Sequence, residues 1–222
     1  MRLRAGDRFL AFSGDGREWE AEVSLVTKAV VHASVGALTR QEPPPPLVLE
    51  VWCGLVRSNR FDWAIEKCSE AGADVIRALL TEHVVRGDGS SAGRQARWER
   101  VAVEASEQCG RLFLPVVQPP AAFRGLADGY RGALLVADAT GRSWQEARAL
   151  LPTTGHVAVA IGPEGGFTAE EVSVARARGA VLVSLGPNVL RSETAAVVAT
   201  ALVRAEGGGR EGAGEPQTQR RR

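Results

Sequence analysis

The residues best suited to chemistry lie in two loops, each of which follows an apolar strand and leads into a helix. The first reads IGPEGGFTAEE over residues 161–171, and the second reads LGPNVLRSETA over residues 185–195. Glycine lets a backbone approach a ligand closely, and proline stiffens the neighbouring turn. The glycines of these loops therefore suit a site that binds a flat ligand through main-chain groups. They are Gly162, Gly165, Gly166 and Gly186.

Several common catalytic and phosphate-binding motifs do not occur in the chain. The sequence contains neither G-x-x-x-x-G-K-[ST] nor G-x-G-x-x-G, the phosphate-binding motifs of nucleoside triphosphatases and dinucleotide oxidoreductases, which argues against both classes of enzyme. The three cysteines lack C-x-x-C spacing, and the three histidines lack partners at i+3 or i+4, which argues against disulfides and against a metal site. The alternative for both loops is that two strand-to-helix turns use common turn residues and bind nothing.

Composition indicates a globular protein, and its arginines form local clusters. The 222 residues are 45% hydrophobic with a net charge of +1. No run approaches the roughly 20 apolar residues that a membrane span needs, so we expect a cytoplasmic location without a membrane partner. Each arginine cluster could contact phosphates or form a solvated surface. The clusters are Arg2, Arg4 and Arg8; Arg57 and Arg60; and Arg94, Arg97 and Arg100.

Strand and turn patterns divide the chain into a small β unit and a larger α/β unit. In EWEAEVSL, residues 18–25, apolar and acidic side chains alternate, which predicts a strand with one buried face. SGDG, residues 13–16, predicts a turn that connects it to a partner strand, DRFLAF. QEPPPP cannot continue a strand ladder because proline lacks an amide donor. The predicted divisions are a β domain at 1–40, a linker at 41–46, an α/β domain at 47–206 and a disordered tail at 207–222.

Apolar strands alternate with amphipathic helices after the linker. Nearly continuous apolar strands are typical of a parallel sheet that helices cover on both faces. The predicted strands are LVLEVW (47–52), VIRALL (75–80), ALLVAD (133–138), HVAVAI (156–161) and AVLVSL (180–185). The predicted helices contain Phe61, Ala64, Ile65 and Cys68; Trp98, Val101, Ala102 and Ala105; and, at the end, residues 190–205. Ser143 with Glu146 and Thr168 with Glu171 have the capping-box spacing that predicts two further helix starts.

Three loops of the α/β unit follow predicted strands, after Asp138, Ile161 and Leu185. Ligands bind outside the carboxyl ends of parallel strands, where helix N-termini present their amides. We therefore expect the three loops to form one binding site.

Four segments, in order along residues 50–205, resemble the motifs of one enzyme family. IGPEGGFTAEEV and LGPNVLRSETAA closely resemble the last two motifs of the SPOUT-superfamily methyltransferases that modify N3 of a uridine in 16S ribosomal RNA. DWAIEKCSEAGAD, residues 62–74, resembles the family's Lys-x-x-Glu-Leu-Gly segment, with Lys67, Glu70 and Gly72 kept and alanine in place of leucine. EASEQCGR, residues 104–111, resembles its Glu-Gln-Cys-Gly-Arg segment.

The resemblance implies an α/β fold with a SPOUT-type parallel sheet and a C-terminal trefoil knot, preceded by a small PUA-like β-barrel domain. The three loops would form the knot and hold S-adenosylmethionine in a bent shape. The resemblance also implies a homodimer, with 16S ribosomal RNA or the small ribosomal subunit as partner. Family members carry a longer segment before the stretch that resembles MRLRAGDRF, so we expect the barrel to lack its first strand.

The resemblance further implies roles for single residues. We predict that Arg191 stabilises negative charge on the reacting base, and that Glu193 and Glu164 are candidate proton acceptors. The alternatives for these glutamates are ion pairs with Arg191 and capping of the helix that starts near Ser192. The predicted cofactor-binding residues are Asp138, Ile161, Gly162, Gly165, Gly166, Leu185, Gly186, Leu190, Ser192 and Thr194. The predicted RNA-binding residues are Arg2, Arg4, Arg57, Arg60 and Arg111.

The predicted function is therefore S-adenosylmethionine-dependent methylation of a specific uridine N3 in 16S ribosomal RNA. One alternative is a non-catalytic RNA-binding or ribosome-assembly protein on the same fold, which would not bind the cofactor. Others are a SPOUT methyltransferase with a different RNA target and a small-molecule α/β enzyme that binds a nucleotide without RNA.

Overall fold

A computed structural model describes residues 3–54, 58–83 and 91–206. Its N-terminal part is an antiparallel sheet of three strands, in the order β1-β2-β3. The strands are β1 (Arg8–Phe12), β2 (Arg17–Val26) and β3 (Val31–Gln41). The first two confirm the predicted hairpin, and in β2 the alternation buries Ala21 and Val23 while Glu20 and Glu22 are exposed on the opposite face.

The second part is a parallel sheet of six strands with helices on both faces, which confirms the α/β prediction. The sheet order is β6-β5-β4-β8-β7-β9. Its strands are β4 (Leu47–Gly54), β5 (Val75–Leu80), β6 (Val116–Ala122), β7 (Ala133–Arg142), β8 (Gly155–Ile161) and β9 (Val181–Val183). Strand β6 was not predicted because its sequence contains Pro119 and Pro120. Proline cannot donate to the ladder, and β6 lies at the edge of the sheet, where that loss is tolerated.

In the part of the chain that the structure describes, five helices connect these strands and a sixth follows β9. They are α1 (Ser58–Glu70), α2 (Ser91–Cys109), α3 (Phe123–Gly129), α4 (Trp144–Arg148), α5 (Ala169–Ala177) and α6 (Ser192–Glu206). Both predicted capping boxes are present, at the starts of α4 and α5. None of the helices within the described ranges is long and apolar enough to cross a bilayer.

The sheet separates two apolar layers. On one face Leu49, Val51 and Val159 pack with residues of α1, α2 and α6, including Phe61 and Trp98. On the other face the sheet contributes Trp52 and Leu79 among others, and α3 and α5 cover it. The domain boundaries and the trefoil knot stay predictions, and the predicted tail at 207–222 lies outside the described residues.

Candidate active site

The carboxyl ends of β4, β8, β7 and β9 lie side by side in the sheet, so the loops that follow them meet at one edge. A Cβ on Gly54, at the end of β4, would lie 2.3 Å from the Pro163 nitrogen in the loop after β8. A Cβ on Gly141 would lie 2.5 Å from the Val183 nitrogen at the end of β9. Glycine is thus required at both positions because backbone packs directly on backbone. Neither glycine was among the predicted site residues, and the only sequence signal was a glycine near the end of an apolar strand.

The loop after β8, residues 162–167, is a compact turn. The Gly166 amide donates to the Pro163 carbonyl over 2.8 Å, and Gly166 has a φ of 68°, in the left-handed region that favours glycine. A Cβ on Gly162 would lie 3.0 Å from the Gly166 Cα. The predicted glycines therefore let the main chain fold tightly and present no side chain at three of the six positions.

The loop after β9 joins the loop after β8 through Ser192, the first residue of α6. The Ser192 hydroxyl donates to the Gly162 carbonyl over 2.7 Å. Leu185 and Leu190 are half-buried and pack against the main core, while Gly186 is exposed. Ser192 was predicted to bind the cofactor, and in this structure its hydroxyl ties the two loops together. The side chain of Thr194, two residues further along α6, is half-buried.

The third predicted loop follows Asp138. The Asp138 Oδ1 atom accepts hydrogen bonds from the Thr140 amide over 2.7 Å and from the Thr140 hydroxyl over 2.6 Å. Beyond it, the Ser184 amide donates to the Arg142 carbonyl over 2.7 Å. Residues 139–141, which were predicted to form a loop, therefore belong to β7, whose pairing is irregular between Ala137 and Arg142, and Asp138 shapes this irregular stretch beside the end of β9.

Arg60, in the first turn of α1, lies between the two predicted proton acceptors. Its Nη1 donates to Glu164 Oε1 over 2.8 Å, and its Nε lies 3.8 Å from Glu193 Oε1. The predicted alternative paired these glutamates with Arg191, but the structure places Arg60 in that position instead. The Arg191 side chain is exposed and has no ion-pair partner within the ranges that the structure describes.

Glu193 lies in the first turn of α6 and is 8% exposed. Its Oε2 atom is buried and has no hydrogen-bond partner among the described residues. Burying an acceptor oxygen costs free energy unless a donor forms a hydrogen bond with it. Burial raises the pKa of the nearby Cys53 thiol, and the proximity of Cys68 and Glu193 raises it further. Cys53 is therefore not a thiolate nucleophile at this edge.

The predicted RNA-binding arginines that the structure describes differ in their exposure. Arg4 is exposed, whereas Arg2 and Arg57 lie outside the described residues. The prediction that Arg111 binds RNA is corrected, because this residue is 6% exposed and its Nη2 lies 2.6 Å from Asp74 Oδ1. A guanidinium held inside the core cannot reach a phosphate, so its role is to anchor the segment after α2.

Comparisons with known proteins identify both parts of the chain. A family model described as an RNA methyltransferase domain matches residues 43–204, and one described as an RNA methyltransferase PUA domain matches residues 1–32. The chain is 32% identical to ribosomal RNA small subunit methyltransferase E of Synechocystis sp., covering 92% of this chain and 68% of that protein. It is 30% identical to the protein of the same name in Bacillus subtilis, covering 91% and 83%.

Solved structures agree with these relatives. A methyltransferase of Legionella pneumophila with bound S-adenosylmethionine superposes with a TM-score of 0.83 at 28% identity, over 91% of this chain and 84% of that one. Ribosomal RNA small subunit methyltransferase E of Neisseria gonorrhoeae, also bound to S-adenosylmethionine, gives a TM-score of 0.82 at 25% identity over the same shares. Sequence motifs, fold and relatives agree, and the chain belongs to the ribosomal RNA small subunit methyltransferase E family.

Proposed function

We propose that this protein transfers a methyl group from S-adenosylmethionine to N3 of a specific uridine in 16S ribosomal RNA. The observation that carries the proposal is the meeting, at the carboxyl edge of the sheet, of Arg60 with the loops after β8 and β9, which bring Glu164, Arg191 and Glu193 to that edge. Membership of the methyltransferase E family supports the same reaction. By the same resemblance we propose a homodimer, a knotted C-terminal part and a cytoplasmic location.

The residues at the edge fit S-adenosylmethionine. The main chain at Gly162, Gly165 and Gly166 suits a flat adenine, and Ile161, Leu185 and Leu190 provide apolar contacts beside it. Glu164 and Glu193 supply negative charge that complements a sulfonium cation. Because the buried Oε2 of Glu193 is an acceptor without a donor among the described residues, a bound group with a donor would complete it.

When bound, the cofactor supplies a sulfonium methyl group that a uridine N3 can attack in line. Arg191 then stabilises the negative charge that develops on the base oxygens as N3 loses its proton. Its guanidinium suits this role because it is exposed, always charged and able to bridge two oxygens.

The two glutamates differ in what they can reach. The side chain of Glu164 is 75% exposed, whereas that of Glu193 is 10% exposed. We therefore assign Glu164 as the proton acceptor and Glu193 as the residue that holds Arg60 toward it. A base flipped out of its RNA can approach Glu164 directly, with Arg60 fixing the carboxylate.

The Arg191→Ala variant tests the proposal. We expect methyl transfer to small subunits to fall about a hundredfold, the loss typical of one well-placed transition-state charge contact, while cofactor affinity by calorimetry stays within a few fold. Arg176→Ala, an exposed arginine in the last turn of α5, is the matched control and should keep full activity.

Two results of these assays would contradict the proposal. A wild-type protein that does not bind S-adenosylmethionine would favour a non-catalytic RNA-binding protein. Cofactor binding without transfer to small-subunit RNA would favour a methyltransferase with another RNA target.

A further inference from the structure

One buried carboxylate connects the loop after β8 to the end of a different strand. Glu171, in the first turn of α5, is 2% exposed. Its Oε2 atom accepts the Thr168 amide over 2.9 Å, and its Oε1 atom accepts the Glu82 amide over 3.1 Å. The second bond joins positions 89 residues apart. Capping of α5 uses only the first bond, so the second has another purpose.

The segment that receives this second bond, residues 81–83, follows β5 and touches the glycine loop again. A Cβ on Gly165 would lie 3.0 Å from the Cβ of His83. The Glu82 side chain is itself fixed, because its Oε1 accepts from Arg124 Nη2 over 2.6 Å. The loop at 162–167 is therefore held on one side by the end of β4 and the start of α6, and on the other by residues 81–83.

We propose that Glu171 is a positioning residue of the cofactor site, which fixes the loop at 162–167 by bonding to the Glu82 amide. This inference rests on the proposed function for the identity of the ligand. Hydrogen bonds from amides to a carboxylate are stronger than neutral ones, and the accepting carboxylate is buried here. The loop is thus held in its binding conformation before the cofactor arrives, which lowers the entropy lost on binding.

The Glu171→Gln variant tests this directly. Glutamine keeps the volume but has one acceptor oxygen, so one of the two amide bonds is lost and the NH₂ group faces a donor. We expect the Kd and the KM for S-adenosylmethionine to rise about tenfold, with kcat within a few fold at saturating cofactor. Without cofactor, amide hydrogen exchange of peptides covering 162–168 should be faster than in the wild type.

Two control variants separate the tether from helix capping. Glu146 caps α4 through the same motif, accepting the Ser143 amide over 2.9 Å, but bonds to no second loop within the described residues. Glu146→Gln should leave cofactor affinity unchanged. Thr168→Ala removes the cap that the Thr168 hydroxyl gives the Glu171 amide, 3.2 Å away, and keeps both carboxylate bonds. It should lower the melting temperature and raise the Kd less than Glu171→Gln does.

The outcomes distinguish this inference from the proposed function. If the wild type binds S-adenosylmethionine and Glu171→Gln binds it equally well with unchanged exchange, the inference is wrong and the function stands. Equal losses of affinity in Glu171→Gln and Thr168→Ala would also overturn it, because capping alone would then explain the effect. A wild type that does not bind the cofactor contradicts the function, and faster exchange in Glu171→Gln still supports the tether.

Discussion

Replacing Gly54 with alanine tests whether the end of β4 positions the cofactor loop. The added Cβ would lie 2.3 Å from the Pro163 nitrogen and 2.7 Å from the Gly162 carbonyl carbon, whereas ordinary contact begins near 3.4 Å. Both opposing atoms are backbone, so no side chain can rotate away, and the loop must move by about 1 Å. Gly54 does not have a positive φ, so alanine introduces no backbone strain of its own.

The magnitude follows from that overlap. Overpacking of a close contact costs about 1–3 kcal/mol, and the upper end applies because neither backbone segment is free to yield. If the loop shifts to relieve the overlap, the main-chain surface that binds the cofactor is displaced. We therefore expect the Kd for S-adenosylmethionine to rise about a hundredfold, which corresponds to nearly 3 kcal/mol. Calorimetric titration of the folded variant measures this change.

Gly93→Ala is the matched control. A Cβ at Gly93, in the first turn of α2, would meet nothing within 4 Å, and its φ is also not positive. Alanine there should stabilise the helix by about 0.5–1 kcal/mol and leave cofactor affinity unchanged. Wild-type affinity in Gly54→Ala would refute the positioning of the loop by β4, and equal losses in both variants would show a general effect of alanine.

Two further substitutions and a test of thiol burial examine other parts of the structure. Arg60→Ala removes the cation shared by two site carboxylates, and we expect turnover to fall at least tenfold; unchanged methyl transfer would remove Arg60 from the site. Arg111→Met should lower the free energy of unfolding in urea by about 2 kcal/mol, because the half-buried Asp74 loses one of its two arginines. The affinity of Arg111→Met for RNA should equal that of the wild type. If the folded variant loses RNA affinity, the prediction that Arg111 contacts RNA is restored. Burial raises the pKa of the Cys68 thiol to about 12, so at pH 8 iodoacetamide should alkylate exposed Cys109 and spare Cys68, as read by mass spectrometry. In the unfolded chain this thiol releases its proton above about pH 8.5, its ordinary pKa, whereas in the folded protein it stays protonated. The free energy of unfolding should therefore fall as the pH rises above that value. A urea midpoint that stays constant between about pH 8 and 10 would contradict the burial of Cys68.

Periodicity was sufficient to predict most of the fold. VIRALL begins and ends at the residues of β5, and both capping boxes begin helices where predicted. Strand β6 was missed because proline normally argues against a strand, and only its place at the sheet edge permits it. Helix α3 is seven residues long, too short to show a helical period.

The location of the site could be predicted from the sequence, but the ion pairs within the site could not. Loop position at strand ends indicated where Glu164 and Arg191 lie, because parallel strands share a carboxyl edge. The partner of Glu164 could not be read from spacing, since Arg60 is 104 residues away and reaches it only through the fold. The same limit hid the bond from Glu82 to Glu171 and the burial of Arg111, because long-range contacts leave no periodic signal in the sequence.

Nucleoside analysis of methylated ribosomal RNA tests the central claim most directly. Small subunits that lack the modification are incubated with the protein and labelled S-adenosylmethionine. The 16S RNA is then digested to nucleosides, and the labelled nucleoside is identified by mass spectrometry. We predict label in 3-methyluridine, and loss of that label in Arg191→Ala. Absence of transfer, or label in a ribose or in another base, would contradict the assigned reaction.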